Sequence, residues 1–101
     1  MSASQVNAGA LKVLDVMKEL KGHTLSGLSN TDLSQRLKMS APTVTRCLNT
    51  LVKAGMATQL ETGRYALSIQ TLRIAQAHAT EMTAATDRIN KLNQDVLMGR
   101  Y

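Results

Sequence analysis

Residues 30–54, NTDLSQRLKMSAPTVTRCLNTLVKA, restrict the fold more than any other stretch of this chain. Leu33 and Leu37 stand four apart and share one face of a short helix, and Asn30 can cap the free N–H groups at its start. Lys38-Met39-Ser40 breaks the pattern. Ser40 can cap a second helix, with Pro42 in its first turn, where a missing N–H costs nothing. Val44, Leu48, Leu51 and Val52 then keep the spacing of a buried stripe. The opposite face carries Ala41, Thr43, Thr45, Arg46 and Asn49, which are small, polar or basic. Two short helices around a tight turn, the second apolar on one side only, make a helix-turn-helix. Short hydrogen-bonding side chains near the start of that second helix suit insertion into a DNA major groove.

The rest of the chain must supply a core for this pair. At 101 residues there is room for one domain and an appendage, and with no Phe or Trp the packing falls to Leu, Val, Ile, Met and Ala. The net charge is +5 and the pI about 9.8. Up to Ser68 eight Lys and Arg stand against four acids, and beyond it four stand against three, so the excess lies with the helix-turn-helix. A single cysteine, Cys47, excludes an internal disulfide framework and a cysteine-rich metal site, and reads as a small, partly buried hydrophobe. No apolar run approaches the roughly 18 residues of a membrane span. The first residues lack the charged-then-apolar order of a signal peptide, so a cytoplasmic protein is expected.

Residues 1–5 are polar and are expected to fray. Over residues 7–20, Ala10, Leu11, Val13, Leu14, Met17 and Leu20 fill one broad helical face, and Gly22 is placed to end the helix. In the connection that follows, Thr24-Leu25 can pair as a stub of strand. Leu28, just ahead of a cap at Ser29 or Asn30, can staple onto the next helix. After Gly55 the order is strand, Glu61-Thr62-Gly63 turn, strand, which predicts a β-hairpin with Met56, Leu60, Tyr65 and Leu67 facing inward. Three helices followed by a hairpin are a winged helix, and Arg64 beside Gly63 at the wing tip is placed to reach a phosphate or the minor groove.

Three segments together resemble the IclR-type winged helix-turn-helix: Ala10-Leu11-Lys12-Val13-Leu14, then residues 43–55 (TVTRCLNTLVKAG), then Gly63-Arg64-Tyr65-Ala66-Leu67. Domains of that type read A-L-x-V-L in the first helix, S-T-V-x-R-x-L-x-T-L-x-x-x-G in the recognition helix and G-x-Y-x-L in the wing. The resemblance covers residues 8–70. It implies a sequence-specific double-stranded DNA-binding transcription regulator whose recognition helix runs over residues 41–54, with Thr43, Thr45, Arg46 and Asn49 facing DNA. The candidate DNA-binding set is Ser40, Ala41, Pro42, Thr43, Thr45, Arg46, Asn49, Lys53 and Arg64. Regulators of this type continue into a large ligand-sensing domain, whereas about thirty residues follow the wing here, so no small-molecule effector is expected.

Residues 69–99 lack Pro and Gly until Gly99, and Ser68 can cap them as one helix about 40 Å long. Taken as heptads, Ala75, Met82, Ile89 and Val96 fall on one seam position and His78, Ala85 and Leu92 on the other. The greasier half, with Met82, Ala85, Ile89, Leu92 and Val96, predicts a homodimer and hence an inverted-repeat DNA site. The expected architecture is mainly α: a winged helix-turn-helix over residues 1–68 and a dimerising helix over 69–101. His23 reads as a loop residue and His78 as a seam residue, with no acid or cysteine at metal-ligand spacing. No catalytic constellation, phosphate loop, metal site or cofactor site is expected, and with Tyr65 and Tyr101 the only aromatics there is no platform for stacking single-stranded bases. The function expected is that of a small dimeric repressor. A protein-interaction module binding its partner through the long helix is the alternative, and the polar outer face of the second helix favours DNA over it.

Overall fold

Four side-chain oxygens decide where the helices begin, because the first N–H groups of any helix lack backbone partners. The structure, a computed structural model, describes residues 5–99, so the expectation of fraying falls, for residues 1–4, outside the described residues. Asn7 Oδ1 accepts from Ala10 N at 2.9 Å and opens α1 (Ala8–Glu19). Ser29 opens α2 (Asn30–Leu37) with a capping box: its Oγ accepts from Asp32 N at 3.0 Å while Asp32 Oδ2 accepts from Ser29 N at 3.1 Å. Ser29, not Asn30, is therefore the cap, which frees the Asn30 amide for other partners. Ser40 opens α3 (Ala41–Lys53), accepting from Thr43 N at 3.3 Å with Pro42 in the first turn. Ser68 Oγ accepts from Thr71 N at 3.2 Å at the head of α4 (Ile69–Leu97).

Between α3 and α4 lies a two-stranded antiparallel hairpin, β1 (Ala57–Gln59) and β2 (Tyr65–Leu67), paired Ala57 to Leu67, Thr58 to Ala66 and Gln59 to Tyr65. The fold is a winged helix-turn-helix followed by a long helix. It divides into two compact units, the first ending at Thr71 and the second beginning at Leu72. The division falls one helical turn beyond Ser68, because Thr71 Oγ1 donates to Met56 O at 2.8 Å and so fastens the first turn of α4 to the residue that enters the wing.

One core serves the first unit. Val16 and Leu20 of α1, Leu33 of α2 and Val44, Cys47, Leu48 and Leu51 of α3 meet there, with Leu28 and Ala57. Leu28 and Leu33, on either side of the Ser29 cap, are both fully inside, as a hydrophobic staple requires. The inner face of α1 differs from the one expected. Leu11 and Leu14 are each 48% exposed, whereas Val16 is completely buried. Seven apolar residues on α1 form an arc wider than one helical contact can cover. The packed stripe is Val13, Val16, Met17 and Leu20, at spacings of three, one and three, and Leu11 and Leu14 fall beside it. Val52 likewise lies at the edge of the α3 stripe and is exposed.

The connection ahead of α2 contains no Thr24-Leu25 strand; Leu25 is exposed and Leu28 makes the pairing instead. Leu28 and Tyr65 exchange two backbone hydrogen bonds of 2.8 Å, which join the wing to the residue just before the α2 cap. Gly27, at φ +70°, lets the chain pass under β2: a Cβ there would sit 2.8 Å from Tyr65 O and 3.0 Å from Leu60 Cδ1. In the hairpin itself Met56, Tyr65 and Leu67 are half-buried and pack against the core as expected, Leu60 is half-buried, and Ala57, paired with Leu67, joins the core fully. Strand alternation puts Ala66, paired with the exposed Thr58, on the other face, where it too is buried. The turn between α2 and α3 is tight. Lys38 adopts the left-handed conformation at φ 55°, uncommon for a residue with a Cβ, and Met39 N donates to Ser34 O at 3.2 Å to close it.

Arg64 ties these parts together. Its Nε donates to Ser26 O at 3.1 Å and Gly27 O at 3.3 Å, and its Nη2 meets Asp32 Oδ2 at 2.9 Å. The same carboxylate thus completes the α2 cap and anchors the wing. Its pKa is lowered from the ordinary 3.8, first by the Ser29 N–H, then by the Ser29 hydroxyl and the Arg64 and Arg36 charges, with desolvation opposing.

Two outcomes follow from this packing. Leu48→Ala should destabilise the first unit by about 2–5 kcal/mol, because its side chain is completely enclosed and its neighbours come from three helices; thermal melting measures it. Asp32 contributes stability that is complete above the ordinary carboxyl value of 3.8 and is lost as pH falls through its lower folded-state value. An Asp32→Asn protein should therefore melt below the parent near neutral pH and converge with it in strong acid.

Candidate nucleic-acid interface

Burying Val44, Cys47, Leu48 and Leu51 turns the remaining faces of α3 outward. Ser40, Ala41, Pro42, Thr45, Arg46, Asn49 and Lys53 are all exposed and Thr43 is half-buried. The helix has no acid in its first turn, so nothing cancels the partial positive charge of its N-terminus.

The polar side chains on this surface are organised rather than independent. Ser40 Oγ donates to Thr43 Oγ1 at 2.8 Å, and Arg46 Nη2 points at the same oxygen from 3.5 Å. Thr45 Oγ1 accepts from Asn30 Nδ2 at 2.8 Å. Asn30 also donates to Ala41 O at 3.3 Å and accepts from Ser34 Oγ at 3.2 Å, so one amide spans from α2 to the first turn of α3. Thr50 Oγ1 turns back to Arg46 O at 2.8 Å. The structure thus joins Ser40, Thr43 and Arg46 in one group and Thr45 with Asn30 in another, and leaves Asn49 and Lys53 exposed further along the helix.

Two residues outside the sequence-derived set belong to this surface. Asn30 is one, and the signal for it is an amide at the first position of a helix that Ser29 already caps. Lys12 is the other. It lines a shallow groove between α1 and α3 together with Gly9, Val13, Thr43, Arg46, Cys47 and Thr50, so Lys12 and Arg46 supply cations from its two walls. Arg64 does not stand free at the wing tip: its Nε and Nη2 are engaged by Ser26, Gly27 and Asp32, and its side chain is 41% exposed. The tip proper is formed by the exposed residues Glu61, Thr62 and Gly63.

Among the described residues, no three His, Cys, Asp or Glu side chains gather where they could hold a metal ion, and no helix is long and apolar enough to cross a membrane. His23 Nε2 lies 3.3 Å from Arg36 Nη1, which also faces Glu19 at 3.6 Å, and His78 is exposed on α4.

The second unit begins at Leu72 and is helical to Leu97. None of its described side chains is buried. Met82, Ile89, Leu92 and Val96 are between 47% and 60% exposed, and Ala85 is half-covered. Lys91 pairs with Asp95 at 3.2 Å, one turn apart along the helix.

Comparison with known proteins places this geometry. The IclR helix-turn-helix domain family matches residues 9–61. No curated protein matches the sequence. Among solved structures, an IclR family transcriptional regulator from Brucella abortus is 26% identical with a TM-score of 0.65, the match covering 79% of this chain and 30% of that one. HmgR from Pseudomonas aeruginosa is 28% identical with a TM-score of 0.63, covering 73% of this chain and 32% of its own. The present chain spans about a third of the length of these solved relatives. The match from Gly9 to Glu61 takes in all three core helices and β1, more than half of the sequence, and the chain belongs to the IclR helix-turn-helix domain family.

Proposed function

We propose that this chain is a sequence-specific double-stranded DNA-binding transcriptional regulator that acts as a small dimeric repressor. The observation that carries the DNA-binding reading is the two-sidedness of α3. Its inner face is locked by four buried side chains, while its outer face offers Ser40, Thr43, Thr45, Arg46, Asn49 and Lys53 without an acid in the first turn. A helix so presented can enter the major groove, with Arg46 placed to meet a guanine edge and Lys53 and Lys12 to meet phosphates. Arg64 acts on DNA chiefly by setting the wing angle, through its bonds to Asp32, Ser26 and Gly27.

Dimerisation is supported by the exposed stripe on α4. Met82, Ala85, Ile89, Leu92 and Val96 recur at spacings of three and four, the pattern of a coiled-coil seam, on a helix of 29 residues. Two copies joined this way present two recognition helices about a two-fold axis, which suits an inverted repeat with half-sites about one helical turn apart. Linking the half-sites makes the second contact effectively intramolecular, so a helix with few base contacts can reach useful affinity. Repression is the simplest output of such a protein, since occupancy of a promoter is enough to block it. The same stripe could instead seat a different protein, and the oligomeric state separates the two readings.

Selection of bound sequences from a random duplex pool should yield one preferred site, with affinity falling steeply as salt rises. Arg46→Ala should cost roughly 1–3 kcal/mol on that site and relax preference at one base position; retention of full affinity and the same site would remove Arg46 from the base-reading set. Sedimentation tests the dimer. The Ile89→Asp, Leu92→Asp protein should dissociate, and its affinity for a full inverted repeat should approach that for a half-site, while the first unit still melts cooperatively. A parent that is monomeric at every accessible concentration would assign the stripe to a different partner.

A further inference from the structure

The hydrogen bonds on α3 fix more than positions, because they decide which atoms remain for DNA. Ala41 O is a carbonyl and can only accept, so the Asn30 group facing it at 3.3 Å is the Nδ2 amine. The opposite end of the amide agrees, since Ser34 Oγ donates to Asn30 Oδ1. The second hydrogen of Nδ2 then goes to Thr45, 2.8 Å away, and Thr45 Oγ1 is the acceptor. Among the described residues Thr45 finds no acceptor for its own hydroxyl hydrogen, and the residue is exposed. Thr43, half-buried, likewise finds no acceptor for its hydroxyl hydrogen among the described residues. Its Oγ1 accepts from Ser40 Oγ at 2.8 Å and faces Arg46 Nη2 at 3.5 Å.

We propose that Thr43 and Thr45 meet DNA as hydrogen-bond donors, so that α3 reads base edges that present acceptors. Threonine is ordinarily ambivalent and serves either base of a pair. Here each oxygen already accepts from a neighbour, Thr45 from Asn30 and Thr43 from Ser40, and the group left without a partner among the described residues is the hydroxyl hydrogen. Arg46 has donors alone, so it adds to the same polarity. In the major groove guanine offers N7 and O6, thymine O4 and adenine N7, whereas cytosine offers only its N4 amine. The contacted edges at these positions should therefore be guanine, thymine or adenine N7, and not the cytosine amine. Asn30 is a specificity-determining residue in this scheme, although it stands on α2: it sets the sense of the Thr45 hydrogen bond.

The inference rests on the DNA-binding reading, and the test separates the two. The full chain, Thr43→Val and Thr45→Val are each used to select sites from a random duplex pool; valine keeps the shape and removes the hydroxyl. Each variant should lose preference at one base position, by roughly three- to tenfold. At that position, replacing the contacted base with an analogue lacking the acceptor (2-aminopurine, 5-methyl-2-pyrimidinone or a 7-deazapurine) should weaken the parent by a similar factor and leave the valine variant unchanged. Asn30→Asp supplies the reverse case. A carboxylate accepts the Thr45 hydroxyl hydrogen, turns the lone pairs outward, and should shift the preferred contact at that one position towards an amine-bearing edge. Uniform weakening of the valine variants on all sequences would place both hydroxyls on phosphate and overturn the inference. So would a loss confined to positions where removal of an exocyclic amine, not an acceptor, weakens the parent. A parent that selects no duplex at all would instead end the DNA-binding reading itself.

Discussion

A helix can present a precise outer surface only if its inner surface allows a single seating, and here that seating is made by Val44, Cys47, Leu48 and Leu51. Leu48 is the pivot of the group, enclosed by residues of α1, α2 and α3 together. Close packing of aliphatic side chains does not tolerate a shift of half a turn, because each methyl group would meet an occupied space. The same contact fixes the angle between α2 and α3, and with it the distance that the Asn30 amide spans. Hydrophobic burial on one side of α3 thus determines hydrogen-bond geometry on the other.

The charge distribution follows from a second constraint. The wing has only three residues per strand, and the Arg64 guanidinium adds a side-chain attachment to the Leu28–Tyr65 backbone pair and the core contacts of Ala57. That attachment draws its cation inward, beside Asp32, and takes much of its field away from the tip. The positive surface is left to Lys12 and Arg46 on either side of the α1–α3 groove and to Lys53 at the end of α3. The outer surface of α3 is therefore basic along its length, while the wing closes with Glu61, Thr62 and Gly63.

The sequence was legible where periodicity and capping chemistry act locally. Ser40 and Pro42 mark the start of α3, and Val44, Leu48 and Leu51 mark its inner face, because neither depends on what lies opposite. The reading was weaker where two answers satisfy the same pattern. On α1 an apolar arc wide enough for two faces hid which one is packed, and Val16 emerged only from the position of its partners. In the hairpin, Met56, Tyr65 and Leu67 meet the core as alternation suggests, but the full burial of Ala57 and Ala66 depends on what lies against each face, which no local pattern shows. Ser29 and Asn30 both suit a cap, and the choice turns on Asp32, whose carboxylate returns the bond to Ser29. Arg64 is the least legible residue. Its position beside Gly63 is apparent from the sequence, but its partners lie more than thirty residues earlier and no local pattern announces them.

Gly27 carries a consequence of a different kind. Any side chain there would meet Tyr65 O, Leu60 Cδ1 and Arg64 Cβ at or near 3 Å, and the backbone conformation at φ +70° already disfavours one. The position cannot drift through small residues first and large ones later, since alanine already collides with backbone. Substitution would have to be preceded by changes that move β2 away, and those would disturb the Leu28–Tyr65 bridge and the Arg64 attachment together. The route between neighbouring functional sequences is closed at this one atom, whereas at Gly63 in the turn nothing lies within 4 Å of the Cβ position and only the backbone conformation, at φ +86°, resists a side chain.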